Sequence, residues 1–207
     1  HHTGGIRAIV GYRGKGVFRG FNHATQLKRQ PGSSFKPLIV YGPALERGYT
    51  PSSMLYDGEL DINGYRPKDW DNQTRGEVTL HEAVVKSWNI PAVWLLNEIG
   101  IDAGMQFAQN VGIPLSKEDR SLGIALGGLS KGVSPLQMAQ AFGVFANLGD
   151  MNKAHAITKI TTKEGQPLVE IQKLEPLNVM SADNAFTMTL LLQDVVRGGT
   201  GKNAALD

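Results

Sequence analysis

Between Gly132 and Gly149 the chain carries no charged side chain. Ser134, Pro135, Gln137, Gln140, Gly143 and Asn147 punctuate the stretch, which makes it too polar to face lipid. Ser134-Pro135-x-Gln137 reads as a helix start and Asn147-Leu148-Gly149 as its end. A helix without charge is expected to be buried nearly all round. The rest of the chain must therefore supply a core around it, and 207 residues with 41% apolar content suffice for one large or two small domains.

Charge narrows the function classes. Lys plus Arg number 21 against 19 Asp plus Glu, a formal net charge of +2, with no basic stripe to neutralise phosphates. A dedicated nucleic-acid binder is not expected. With no Cys there is neither a thiolate nucleophile nor a Cys-ligated zinc, while an extracytoplasmic location stays compatible. The opening His1-His2-Thr3-Gly4-Gly5 lacks the basic and apolar regions of a signal peptide, so any anchor or export signal is expected outside this stretch.

Local patterns predict an order of elements. Ile6 to Val10 reads as a strand, with Gly14, Gly16 and Gly20 making a turn toward a second short one. Ser33 to Arg47 has helical spacing, with Pro37 in the first turn and Pro43 expected to kink or shorten it. Gly48 to Gly76 is a long polar stretch, expected to be a functional loop or flap. Thr79-Leu80-His81-Glu82 is a capping box for a helix to about Ser87. Asn89-Ile90-Pro91 begins a second helix, Asp102 is expected to cap a third, and Ser181 a last one closed by Gly198. Ala156–Thr161 and Leu168–Ile171 read as a hairpin. Trp70, Trp88 and Trp94 are expected in the core, with Trp88 bordering a cleft.

The chemistry begins at Gly32-Ser33-Ser34-Phe35-Lys36-Pro37. If Ser33 opens a helix, Lys36 lies one turn on, over the same face. A serine hydroxyl is a weak nucleophile, and a lysine whose pKa is lowered by burial can act as its base. Free N–H groups of a helix start can stabilise an oxyanion, and Gly32 leaves room for a substrate backbone. Ser87-Trp88-Asn89 lies at the break between two helices, where a hydroxyl and an amide can enter one cleft, one relaying a proton and one holding a carbonyl. On these residues alone, a helix cap followed by a solvated lysine fits as well, and Ser87 and Asn89 fit as helix caps. Other candidates fail. Gly198-Gly199-Thr200-Gly201-Lys202-Asn203 departs from a phosphate loop at Val196 and Asn203. The five histidines have no metal-ligand spacing. Asp57, Asp61, Asp69 and Asp71 could mimic a carboxylate site but read as turn residues.

Arg29-Gln30-Pro31-Gly32-Ser33-Ser34-Phe35-Lys36-Pro37 resembles the active-site serine segment of penicillin-binding proteins, most closely the transpeptidase domain of the bifunctional (class A) type. Thr3 to Gly11, Phe21-Asn22-x-Ala24-Thr25 and Gly76-x-Val78-Thr79-Leu80 are similar too. So are Ser87-Trp88-Asn89-Ile90-Pro91-Ala92-Val93, Gly132-Val133-Ser134-Pro135-Leu136-x-Met138-Ala139 and Phe145-Ala146-Asn147-x-Gly149, in the expected order along nearly the whole chain. Trp88 replaces the Asp of the Ser-Asp-Asn motif. Lys-Thr-Gly is absent, and Gly199-Thr200-Gly201-Lys202 resembles the stretch that precedes it.

The resemblance implies an α/β chain of the α+β type, with the β-lactamase-like fold in which an antiparallel sheet is flanked by helices. Residues 1–207 are then expected to be an incomplete transpeptidase domain, ending before the third motif and its strands, with the missing C-terminal part as a partner. It implies Ser33 as nucleophile, Lys36 as base, Ser87 as proton relay, and Asn89 and Trp88 as substrate-binding residues, with no cofactor or metal. Implied ligands are peptidoglycan stem peptides ending in D-Ala-D-Ala and β-lactams, at the outer face of the bacterial cytoplasmic membrane in a membrane-anchored parent. A D,D-carboxypeptidase, a β-lactamase, a β-lactam sensor and an inactive scaffold on the same fold are the competing expectations.

Overall fold

Every residue from Phe35 to Leu45 is buried. In the computed structural model, which describes residues 2–170 and 175–205, this segment is one helical run of changing pitch. A 3-10 turn spans Gly32–Phe35, a π-helical stretch Pro37–Tyr41, and α1 Gly42–Leu45. The prolines explain the changes. Pro43 has no N–H to give the carbonyl four residues back, and the run is widened ahead of it, with the Gly42 N–H reaching the Pro37 carbonyl. Pro43 thus alters the pitch of a helix that still continues to Leu45.

Strands β1 (Met54–Asp57) and β2 (Gly76–Thr79) pair antiparallel, with Asp57 opposite Gly76. The loop from residue 58 to 75 is therefore pinned at both ends. The helices α2 (Leu80–Lys86), α3 (Ile90–Ile99) and α4 (Ile101–Asn110) follow. Then come 3-10 turns at Lys117–Asp119 and Leu122–Leu126, and α5 (Pro135–Ala146). Ribbon strands β3 (Asp150–Met151), β4 (Lys159–Thr161), β5 (Pro167–Glu170) and β6 (Leu177–Asn178) lead to α6 (Ala182–Gly198). Among the described residues the strands form antiparallel pairs β1–β2, β3–β6 and β4–β5. The class is mixed helix and antiparallel strand, as expected, with the strands in separate two-stranded ribbons. The buried run packs against α3, α4, α6 and the Leu122–Leu126 turn. Together with Leu80, Leu95, Leu96, Ile113, Ile124 and Met188 it makes one continuous core.

The local signals for the starts of α2, α5 and α6 hold. Thr79 and Glu82 form a reciprocal capping box on α2, Ser134 and Gln137 another on α5, and the Ser181 hydroxyl accepts from the Asn184 N–H. The β4–β5 hairpin forms about the expected turn, Ile171 lying outside the described residues.

Other expectations need correction. Ile6 to Val10 is not a strand: Gly5 makes an isolated bridge with His155, and beyond the Ile6 N–H bond to the His155 carbonyl no ladder runs along it among the described residues. A β-branched run needs a neighbouring strand to take its backbone groups. The second short strand near Gly20 is likewise absent from the described residues. Helix α5 is not buried all round. Ala141, Val144 and Phe145 are buried, while Pro135, Ala139 and Ala146 face solvent, so small neutral residues rather than apolar cover account for its lack of charge. Asp102 does not cap α4; Gly100 holds that place, and Asp102 takes a two-pronged contact from Arg120 at 2.9 and 2.8 Å. Trp70 is exposed, its indole N–H donating to the Lys86 carbonyl at 3.1 Å.

Candidate active site

Lys36 is 2% exposed. It follows the 3-10 turn at the start of the buried run, so its stem lies inside the core and its amine must find polar partners there. The turn between α2 and α3 supplies them. Lys36 Nζ donates to the Ser87 carbonyl at 2.8 Å, the Trp88 carbonyl at 2.9 Å and Asn89 Oδ1 at 2.8 Å, and Ser87 Oγ lies at 3.4 Å. Three short acceptors match the three N–H bonds of an ammonium. Desolvation nevertheless lowers the Lys36 pKa to about 8, opposed by the negative charge of Asp69. At pH 7 about a tenth of the amine is then neutral.

Chain geometry makes this convergence possible. Ser87 ends α2 in the left-handed conformation, φ 57° and ψ 38°. For a residue with a Cβ that costs about 1 kcal/mol. It reverses the chain so that consecutive carbonyls and the Asn89 amide face Lys36. The Trp88 ring is buried, with the Arg75 guanidinium 4.0 Å from its centroid, and the residue meets the amine through its carbonyl oxygen.

Ser33 lies one turn before Lys36 in the 3-10 segment and is exposed. Its carbonyl accepts the Lys36 N–H, and no hydrogen bond joins the Ser33 hydroxyl to Lys36 among the described residues. Gly32 has φ 58° with open space where a Cβ would stand, so the positive dihedral is what the backbone requires there. The approach to this turn is clamped. The Gln30 side chain bonds both backbone groups of Leu129, and Arg29 pairs with Val133. The structure thus gathers Lys36, Ser87, Trp88 and Asn89, with Ser33 open to solvent one turn away.

Sequence reasoning missed the support beneath this turn. Asn89 does not cap α3 with its side chain, as expected of it; Asp69 does, its Oδ1 accepting the N–H groups of Asn89 and Ile90. The Asn89 amide is used twice, Oδ1 on Lys36 and Nδ2 on the Lys68 carbonyl at 2.9 Å. Arg75 reaches Asp57 and Asp69 at 3.1 Å each and also pairs with Asp71. Asp57 and Asp69 are buried, and among the described residues Asp57 Oδ1 has no hydrogen-bond partner. Burial and a hydrogen bond with Asp69 push the Asp57 carboxyl up to about 6 against the opposing pull of Arg75. These aspartates look like turn residues in a polar loop. The available signal was Arg75, four residues after Asp71 and paired through the β-ribbon with Asp57. Beside them a cavity of about 610 Å³ is lined by Glu59, Asp61, Arg66, Lys68, Asp69 and Ile90, among others. Among the described residues no group of three or more His, Cys, Asp or Glu is arranged to hold a metal ion.

The chain matches the family model of the penicillin binding protein transpeptidase domain over residues 2–207. It is 43% identical over 199 residues to penicillin-binding protein 1F of Bacillus subtilis (strain 168), covering 96% of this chain and 27% of that protein. With penicillin-binding protein 2a of Streptococcus pneumoniae serotype 2 it shares 38% identity over 205 residues, 96% of this chain and 28% of that one. The chain spans just over a quarter of the length of these two curated relatives. The crystal structure of penicillin-binding protein 1A from Haemophilus influenzae superposes with a TM-score of 0.74 at 28% identity, over 88% of this chain and 33% of that chain. PonA1 from Mycobacterium tuberculosis, at 24% identity, shares the fold with a TM-score of 0.79 over 94% of this chain and 54% of that chain.

Proposed function

Because the chain belongs to the penicillin-binding protein transpeptidase family, we propose that it carries the acylation machinery of a peptidoglycan D,D-transpeptidase that β-lactams also acylate. Ser33 Oγ attacks the carbonyl carbon between the two terminal D-alanines of a stem peptide. Its proton passes to Lys36, and the Ser33 backbone N–H supports the oxyanion. Collapse breaks the C–N bond, Ser87 hands a proton to the departing D-alanine amine, and an ester on Ser33 remains. An amine of a second stem peptide attacks that ester, releasing the Ser33 hydroxyl and leaving a new amide crosslink. Asn89 holds the donor backbone. A β-lactam follows the first half of the path, its ring C–N bond opening as Ser33 is acylated. The reading places this chemistry at the outer face of the bacterial cytoplasmic membrane.

One observation carries the reading: a lysine buried in the core, with its pKa lowered by desolvation, has its amine on the Ser87–Asn89 turn and lies one turn from an exposed serine. Burial is what makes a lysine usable as a base near neutral pH. Catalytic hydrogen bonds commonly close only around substrate, which suits the open Ser33 hydroxyl.

Labelling by a fluorescent penicillin tests it. The protein at its natural length should be labelled, and Ser33→Ala should lose the label; persistent label would name another nucleophile. Supplying a donor stem peptide with an acceptor amine should yield crosslinked product. Release of D-alanine with hydrolysed donor alone would identify a carboxypeptidase, and acylation without turnover a sensor.

A further inference from the structure

The loop from residue 58 to 75 touches the site from below at several points, and each bears on Asn89 or Lys36. Asp69 Oδ1 accepts both N–H groups at the start of α3, and the adjacent Lys68 carbonyl accepts Asn89 Nδ2. The second bond decides which end of the amide faces Lys36: with Nδ2 committed to Lys68, Oδ1 must turn to the amine. Asp69 Oδ2 is tied to Arg75, whose guanidinium also lies over the Trp88 ring and reaches Asp57 at the base of the β-ribbon. Two consecutive loop residues thus set the backbone and the side-chain orientation of Asn89, and one arginine locks them to the sheet.

We propose that Asp69, held by Arg75, is a positioning residue for the acylation step: it fixes the turn that presents Asn89 to Lys36. This rests on the reading of Lys36 as the base for Ser33. The charged and titratable groups around Asp69 are Lys36 and Tyr41 from the buried helical run, Asp57 from β1, and Asp71 and Arg75 from the loop; α3 contributes backbone N–H groups. Lys36 feels Asp69 as an opposing influence to its own burial, so loss of the charge leaves desolvation unopposed. Loss of Arg75 should act the other way, because it removes the positive charge paired with Asp69, the carboxylate that acts on the amine. The two changes should move the same titration in opposite directions.

The experiment is the pH dependence of penicillin acylation, measured on the protein at its natural length. Asp69→Asn keeps an oxygen for the α3 N–H groups, removes the charge, and exchanges the oxygen that accepts from Arg75 for an amide nitrogen. Its rising limb should move to lower pH by about half a unit or more, so that at pH 6 the rate relative to plateau is about threefold that of the parent. Arg75→Gln should move the limb to higher pH. Asp69→Ala, which removes the cap as well, should lower the plateau about tenfold. The midpoint of the limb does not depend on how much of the sample is folded, so a purely structural role for Asp69 would leave it in place. An Asp69→Asn limb at or above the parent's midpoint overturns the proposal; should that variant not fold, an unmoved limb in Arg75→Gln does so. Failure of the underlying assignment looks different, since the parent itself would then keep its label after Ser33→Ala.

Discussion

Ile39 and Ile9 are the same residue in comparably apolar sequence, and their fates differ. Ile39 lies in the buried helical run, wholly covered, while Ile9 is 46% exposed with Val10 beside it at 76%. The two regions differ in what surrounds them. The run from Phe35 to Leu45 is enclosed by α3, α4, α6 and the Leu122–Leu126 turn, all distant in sequence. Among the described residues the segment that opens at Gly5 has one isolated bridge, from Gly5 to His155. Intrinsic preference is worth tenths of a kcal/mol per residue, whereas burying an aliphatic side chain is worth about 2 kcal/mol, so the presence of partners decides whether an apolar stretch becomes a fixed element. A lysine can be held at 2% exposure only in the first kind of surroundings.

If this contrast is right, perturbations should be severe inside and slight outside. The largest effect is expected at Gly104, where α4 meets the buried run. A Cβ there would stand 2.3 Å from the Ile39 carbonyl oxygen and 2.8 Å from Leu96 Cδ1. Gly104→Ala gains helix propensity but should still cost roughly 2–3 kcal/mol in chemical denaturation, because the clash is with backbone. A neutral or stabilising result would mean the helices slide apart easily and the enclosure is loose.

Next comes the pH dependence of stability at Asp57. Its folded pKa of about 6 exceeds the ordinary carboxylate value near 4, so the folded state binds the proton first. The stability tied to this group is complete below about pH 4 and is lost as pH rises through 6. Parent and Asp57→Asn should therefore diverge by about 1–2 kcal/mol between pH 4 and 7, the variant holding its stability better toward neutral pH; parallel curves would show that Arg75 compensates Asp57 fully. A smaller loss, about 1 kcal/mol, is expected for Thr79→Ala, which removes the hydroxyl accepting from Glu82 at the start of α2. Smallest of all is Val10→Ser, whose midpoint should stay within about 0.5 kcal/mol of the parent. A loss as large as that at Gly104 would place Val10 in a covered surface and dissolve the contrast.

Legibility followed range. The starts of α2, α5 and α6 were readable because a cap joins residues three apart, at Thr79 and Glu82, Ser134 and Gln137, and Ser181 and Asn184. The grouping of Lys36, Ser87 and Asn89 was readable through the order of motifs along the chain. Asp69 was not, since in sequence it resembles its neighbours Asp61 and Asp71, and only the folded loop buries it under α3. Trp70 and Trp88 show the same limit: two indoles in polar stretches, one exposed and one packed beneath Arg75. The expected burial of α5 failed for a related reason, because absence of charge does not distinguish an apolar face from one made of alanine and proline.

By itself, then, the amino-acid order determined where α2, α5 and α6 begin, which side chains are chemically able to act, and that a serine and a lysine stand one turn apart. The tertiary structure alone decided that the lysine is dry, that three oxygens from a single distant turn meet its amine, and that a buried aspartate sets that turn. Caps and turns are made between near neighbours, while desolvation and the field of a carboxylate depend on what the whole fold brings close, which no local pattern records.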